Sequence, residues 1–162
     1  MSLEFIEFYT DIVYPSLEQL TLENAKEVIR YPTEPLSNEE YYFGIDGDST
    51  GACLEDLLVE EKKDELKKIS KNISIALKKM GNYIKKVSKE NEIIFQTGDD
   101  MLILGKLSFN DLVKIKQIYK DTTEILTCSI GFGKTSKDAY MALKLAKANP
   151  QKNMIKGIYF NN

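Results

Sequence analysis

Four aspartates in two short clusters are the residues of this 162-residue chain best placed to do chemistry. Asp46-Gly47-Asp48 follows the apolar run 41–45, and Asp99-Asp100 follows Gly98 in a turn between two further apolar runs, 93–95 and 101–104. The chain has no histidine and two cysteines, Cys53 and Cys128. It therefore has no Ser-His-Asp triad, no Cys-His nucleophile and no HExxH zinc site. Two cysteines cannot build a Cys₄ zinc site or a disulfide framework, and a reduced pair is expected. Chemistry is left to carboxylates, lysines, tyrosines, hydroxyls and backbone. A metal held by such groups would be a hard cation, Mg²⁺, Mn²⁺ or Ca²⁺.

Both acidic clusters also fit a plainer role, because Asp and Gly are common turn residues. Their shared position at strand ends favours the chemical reading. Like charges a few ångströms apart repel by a few kcal/mol at an effective dielectric near 20, so four gathered carboxylates need a cation. One or two divalent ions are expected on Asp46, on a backbone carbonyl near Gly47, and on Asp99 or Asp100. Beside the first cluster, Ser49-Thr50-Gly51 offers hydroxyls and flexible amides that suit phosphate. Gly131-Phe132-Gly133-Lys134-Thr135 reads as a glycine-rich turn at a helix start, which also suits an anion. It is neither a P-loop nor a dinucleotide fingerprint, since Cys128 and Ser136 stand where those motifs need glycine. Lys144, Lys147 and Lys152 lie on or just after the following helix; a solvated face explains them equally well, and is preferred for Lys152.

The elements that must position these residues follow from periodicity. Residues 41–46 read as a buried strand and 54–60 as one or two helical turns. Leu66, Ile69, Ile73, Leu77, Met80, Ile84 and Val87 step by three or four, which predicts an amphipathic helix of about 22 residues. Strands are expected at 92–96 and 101–104 around the turn 97–100, as a hairpin. A helix is expected at 110–120 and a strand at 124–130. Thr135 opens another helix with Asp138 as a capping box. Residues 157–160 would form a last edge strand. The core order is βαββαβ, so the fold class is α+β, a ferredoxin-like sheet. Residues 1–38 carry three of the four prolines and no glycine. They read as a helical N-terminal extension, cut near Pro15 and ended before Pro32, with 31–38 as linker to a domain over 39–162.

The charge balance is 22 basic against 25 acidic residues, so no basic field suits long nucleic acid. No apolar run nears the roughly 20 residues of a membrane span, and the acidic N-terminus is no signal peptide. A cytoplasmic address is expected.

Gly-Ile-Asp46-Gly-Asp, Thr97-Gly98-Asp99-Asp100, Ser129-Ile-Gly and the Ala-Leu-Lys-Leu-Ala-Lys helix resemble, in order and spacing, the nucleotidyl-cyclase palm superfamily. That group includes GGDEF diguanylate cyclases and the type III CRISPR polymerase palm. The nearest likeness is to minimal CRISPR polymerases (mCpol), over about residues 41–160. The resemblance implies joining nucleoside triphosphates, ATP foremost, into a cyclic di- or oligonucleotide such as cyclic di-adenylate. It also implies two Mg²⁺ or Mn²⁺ ions, a homodimer and a downstream effector in anti-phage defence. By the resemblance, Asp46 and the Gly47 carbonyl bind metal. Asp99 and Asp100 divide metal binding and help to the attacking hydroxyl. Lys134 and Lys147 fall where triphosphate-binding lysines occur. Thr97 departs from the first glycine of the family turn, and Leu54 stands where diguanylate cyclases read guanine with asparagine. The alternatives are a GTP cyclohydrolase III-like palm, a receiver domain, and a degenerate palm that binds nucleotide without turnover.

Overall fold

A computed structural model describes residues 29–30, 35 and 38–160. The helices expected around Pro15 lie outside the described residues, as does most of the linker. At the boundary, Ile29–Arg30 forms a two-residue strand, β1, where the sequence reads as a helical extension ended before Pro32. Pairing with the last strand overrides that reading: Ile29 lies opposite Phe160 and Arg30 opposite Tyr159, antiparallel.

The remaining elements run β2 (Tyr41–Asp48), α1 (Thr50–Val59), α2 (Lys63–Val87), β3 (Glu92–Thr97), β4 (Asp100–Gly105), α3 (Phe109–Thr123), β5 (Thr127–Gly133), α4 (Ser136–Ala148) and β6 (Ile155–Phe160). The sheet order is β1-β6-β5-β2-β4-β3. Within it, β5-β2-β4-β3 with α2 and α3 is the expected ferredoxin-like βαββαβ unit. β2 is central, antiparallel to both β4 and β5. β6 runs parallel to β5 and is not an edge strand, because β1 lies beyond it.

Alternation along β2 assigns its two faces. Tyr41, Phe43 and Ile45 are fully buried with Ile73, Leu77, Met80 and Ile84 of α2 and Leu112, Ile115 and Tyr119 of α3. The opposite face packs against α4: Gly44 lies beneath Leu143 and Ala139. Lysines cover the outer side of α2, so its apolar stripe has one place to go. α3 and α4 both begin with complete capping boxes, Ser108 with Asp111 and Thr135 with Asp138.

Two boundaries differ from expectation for a shared reason. β5 covers Thr127–Gly133 rather than 124–130, and Gly131-Phe132-Gly133 is strand, not a turn. Gly131 lies directly under α4. A Cβ there would run into the backbone of Leu143 and the carbonyl of Ala139. The glycines let the helix approach the sheet; they do not cradle an anion.

Gly131→Ala is expected to lower unfolding stability by about 1–3 kcal/mol through overpacking. Gly51→Ala, with nothing within 4 Å of its new Cβ, serves as the unstrained control. Urea titration of both variants checks this, and an unchanged Gly131→Ala midpoint would contradict the packing argument.

Candidate metal and nucleotide site

The β2–β4 register puts Asp46 directly opposite Asp100. β3 and β4 join through a turn in which Gly98 takes a left-handed φ of 57°, and this brings Asp99 to the same end of the sheet. One carboxylate oxygen each from Asp46, Asp99 and Asp100 lies within 4.8 Å of the others. At that spacing and an effective dielectric near 20, each like-charged pair costs about 3 kcal/mol. Burial, and then the neighbouring Asp46 charge, push the Asp100 carboxyl up to about 6.

A cation already faces this cluster. Lys147, the penultimate residue of α4, pairs with Asp46 and donates to the Gly47 carbonyl at 3.0 Å. These are two of the donors expected to hold a metal from sequence, the others being Asp99 and Asp100. The ammonium therefore shows that a carboxylate and a carbonyl converge on one cationic position. Hard oxygen donors in this arrangement suit Mg²⁺ or Mn²⁺.

Gly47 is itself enforced by packing. A Cβ there would meet the Thr50 hydroxyl, the Tyr119 hydroxyl at 2.5 Å and Asp99 Oδ2 at 2.6 Å. Among the described residues, Thr50 Oγ1 and Tyr119 OH are buried with no well-formed hydrogen-bond partner; burial outweighs the neighbouring Thr50 hydroxyl and holds the Tyr119 phenol well above its usual range. Neither hydroxyl partners the cluster in this state.

Asp48 departs from expectation. It lies on the α4 face of β2 with Asp46, yet it does not join the other three carboxylates. It accepts hydrogen bonds from Thr127 Oγ1 (2.8 Å), Ser129 Oγ (2.8 Å) and the Asn153 amide (2.9 Å). Three donors satisfy it at 4% exposure, so its carboxylate ties β2 to β5 and to the loop before β6. The gathered set is three aspartates, not four. Thr127 and Ser129 oppose Asp48 and Asp46 across the β2–β5 ladder; hydroxyls facing acids in a strand pair are the sequence signal for this arrangement.

Ser49 caps α1 in a left-handed conformation, without a side-chain cap hydrogen bond, and Lys152 Nζ donates to its hydroxyl at 2.5 Å. Lys152 thus keeps an exposed ammonium, as expected, with Ser49 as its partner. Gly51 is exposed at the first turn of α1. Lys134 is not brought to the acidic end. It follows β5 where Gly133 pairs with Tyr42, whereas Ser129 pairs with Asp46. There it pairs with Glu39 and sits 4.0 Å from the centroid of the Tyr41 ring. Its placement corrects the expectation of a phosphate lysine: once Gly131-Phe132-Gly133 is strand, Lys134 is carried to the far end. Cys53 and Cys128 are both free thiols, and burial pushes the Cys128 thiol up.

A ferredoxin-like sheet with acids clustered at one end of its central strands is a palm-type fold. Residues 42–158 match the family model of the minimal CRISPR polymerase domain, mCpol, and the chain belongs to that family. Membership carries a CRISPR-associated polymerase or nucleotidyltransferase-like role. Neither the curated proteins nor the solved structures contain a significant match. Among the described residues, no helix is long and apolar enough to cross a membrane.

The raised Asp100 carboxyl makes a pH prediction for the chelator-treated protein. A folded-state value near 6 against an ordinary 3.8 means that the proton favours the fold. Its contribution is full below about pH 4 and is lost as pH rises towards 6. Wild type should therefore lose stability relative to Asp100→Asn across that window. Urea titrations at stepped pH would contradict this if the difference between the two stayed constant.

Proposed function

We propose that the chain is a metal-dependent nucleotidyltransferase that converts ATP into a cyclic di- or oligonucleotide, with cyclic di-adenylate as the leading product. The observation that carries this reading is the three-aspartate cluster with the Lys147 ammonium seated on Asp46 and the Gly47 carbonyl. Membership in a polymerase family supports it.

Asp46, the Gly47 carbonyl and Asp99 or Asp100 would hold Mg²⁺ or Mn²⁺, up to two ions. Such ions, when bound, acidify a ribose hydroxyl and neutralise charge on the triphosphate. The residues then divide the work. A ribose hydroxyl of one ATP attacks the α-phosphorus of another; a new P–O bond forms and the bond to pyrophosphate breaks. A carboxylate of the Asp99–Asp100 pair accepts the hydroxyl proton. Lys147 moves from Asp46 to the triphosphate, where its charge offsets that of the departing pyrophosphate. The Ser49–Gly51 segment supports phosphate binding, because α1 starts there with no side chain covering its first amides. Lys134 takes no part. Asp48 acts through position, holding the loop after α4 against β2.

Ring closure needs two such bonds. Two copies facing each other, or one copy that reorients its linear intermediate, both satisfy this; a homodimer is the simpler arrangement. The messenger would be read by a separate effector in anti-phage defence.

Incubation with ATP and Mg²⁺ or Mn²⁺, followed by mass spectrometry and linkage-specific nuclease digestion, tests the proposal. Wild type should release pyrophosphate and a cyclic adenylate. Asp46→Asn should lower the rate at least a hundredfold, in line with loss of charge stabilisation at a phosphoryl centre. Product formation unchanged in Asp46→Asn and Asp99→Asn would overturn the site. Metal-dependent nucleotide binding with no product from any nucleoside triphosphate would identify a degenerate palm.

A further inference from the structure

A cavity of about 250 Å³ opens beside the acidic cluster on the α4 face of the sheet. Its floor is Gly44, Leu102 and Leu143, and Asp46, Asp100 and Lys147 stand at one end. Two aromatic side chains form walls: Phe95 from β3, 46% exposed, and Tyr140 from α4, 55% exposed.

Phe95 reaches this wall through an irregularity. In the β3–β4 ladder Ile93 pairs with Ile103 and Phe95 pairs with Leu102, so Ile94 is an extra residue on β3. In a regular ladder Ile94 would oppose Leu102, and Phe95 would point with Met101 towards the buried α2–α3 face. The bulge turns Phe95 onto the Leu102 face, out of the core and into the cavity. Bulges that re-aim one side chain beside a functional site are a known use of this irregularity. On α4, Ser136, Tyr140, Leu143, Lys144 and Lys147 share one face and all line the cavity. The Lys144 ammonium sits 5.1 Å from the centroid of the Tyr140 ring.

We infer that this cavity is a base-binding subsite: a nucleotide places its heteroaromatic ring against Phe95 and Tyr140, over the Leu102–Leu143 floor, with its phosphates towards Lys144 and Lys147. The inference rests on the proposed nucleotidyltransferase reading and deepens it. The apolar floor and aromatic walls suit a base, and the lysines beside them suit its phosphates. Exposed aromatic faces beside lysines take bases by stacking, with little preference among them. Stacking alone would therefore admit several bases, and the choice of adenine falls to polar groups at the ring edge.

The test uses α,β-methylene-ATP, which cannot react, and inorganic tripolyphosphate, both with Mn²⁺, on the full chain by calorimetry. Phe95→Ala and Tyr140→Ala should each weaken the nucleotide about tenfold, as expected for a lost stacking partner. Tripolyphosphate affinity should stay at the wild-type value, and Tyr140→Phe should retain nucleotide binding. Both side chains are exposed, so the variants keep the core; a loss of tripolyphosphate binding equal to that of nucleotide would indicate distortion and overturn the assignment. Unchanged nucleotide affinity in both alanine variants would also overturn it. So would a changed dimer dissociation constant with unchanged nucleotide affinity, which would make the aromatic walls a contact between copies. Failure here is separable from failure of the activity. If wild type makes product and both variants turn over as wild type, the subsite falls and the activity stands. If wild type binds nucleotide through Phe95 and Tyr140 but makes no product, the activity falls and the subsite stands.

Discussion

Register pairing sets Asp46 opposite Asp100 on neighbouring antiparallel strands, and the rest of the site answers to that placement. Two carboxylates across a ladder repel, and a third from the turn adds to the cost. A fold driven by stability alone would not place them so. The protein meets the repulsion in two ways. Asp100 holds its proton to higher pH than usual, and Lys147 lies across Asp46 and the Gly47 carbonyl. Both responses are reversible. The lysine is the resident counter-charge of the cluster, and under the proposed function a metal-bound triphosphate would displace it.

Around this point the scaffold supplies rigidity. Tyr41, Phe43 and Ile45 bury one face of β2, and α4 lies on the other through Gly44 and Gly131. Asp48 fixes the loop after α4 through its bonds to Thr127, Ser129 and Asn153. That loop follows directly on the helix which carries Lys147. Tyr119 approaches Gly47 from the opposite face, which leaves room only for glycine. The acidic cluster is thus set between two packed layers and does not depend on a long loop.

Much of this was legible in the sequence because its signals are local. The α2 stripe, the Thr135–Asp138 capping box and the Gly98 turn each depend on residues within a turn or two. The convergence of Asp46 with Asp99 and Asp100 followed from βαββαβ order alone, since that order makes β2 and β4 neighbours. Other features depend on partners distant in the chain. Gly131-Phe132-Gly133 looked like a phosphate turn because glycine marks turns more often than close helix packing, and the helix above it is visible only in the fold. With that reading went Lys134, which the longer strand carries to Tyr41. Asp48 was grouped with the other acids because it stands beside Asp46 at the end of an apolar strand; Thr127 and Ser129 on the neighbouring strand hydrogen-bond it instead. The β3 bulge has no glycine to mark it, so the turning of Phe95 could be found only from the ladder.

The proposed function turns on Asp46, the Gly47 carbonyl and the Asp99–Asp100 pair as a divalent-cation site that Lys147 guards. Anomalous diffraction from crystals grown with MnCl₂ and α,β-methylene-ATP tests it most directly. Mn²⁺ density is expected within bonding distance of Asp46, the Gly47 carbonyl and at least one of Asp99 and Asp100, with Lys147 moved onto phosphate. Carboxylates free of Mn²⁺ and Lys147 still on Asp46, with nucleotide bound, would contradict it.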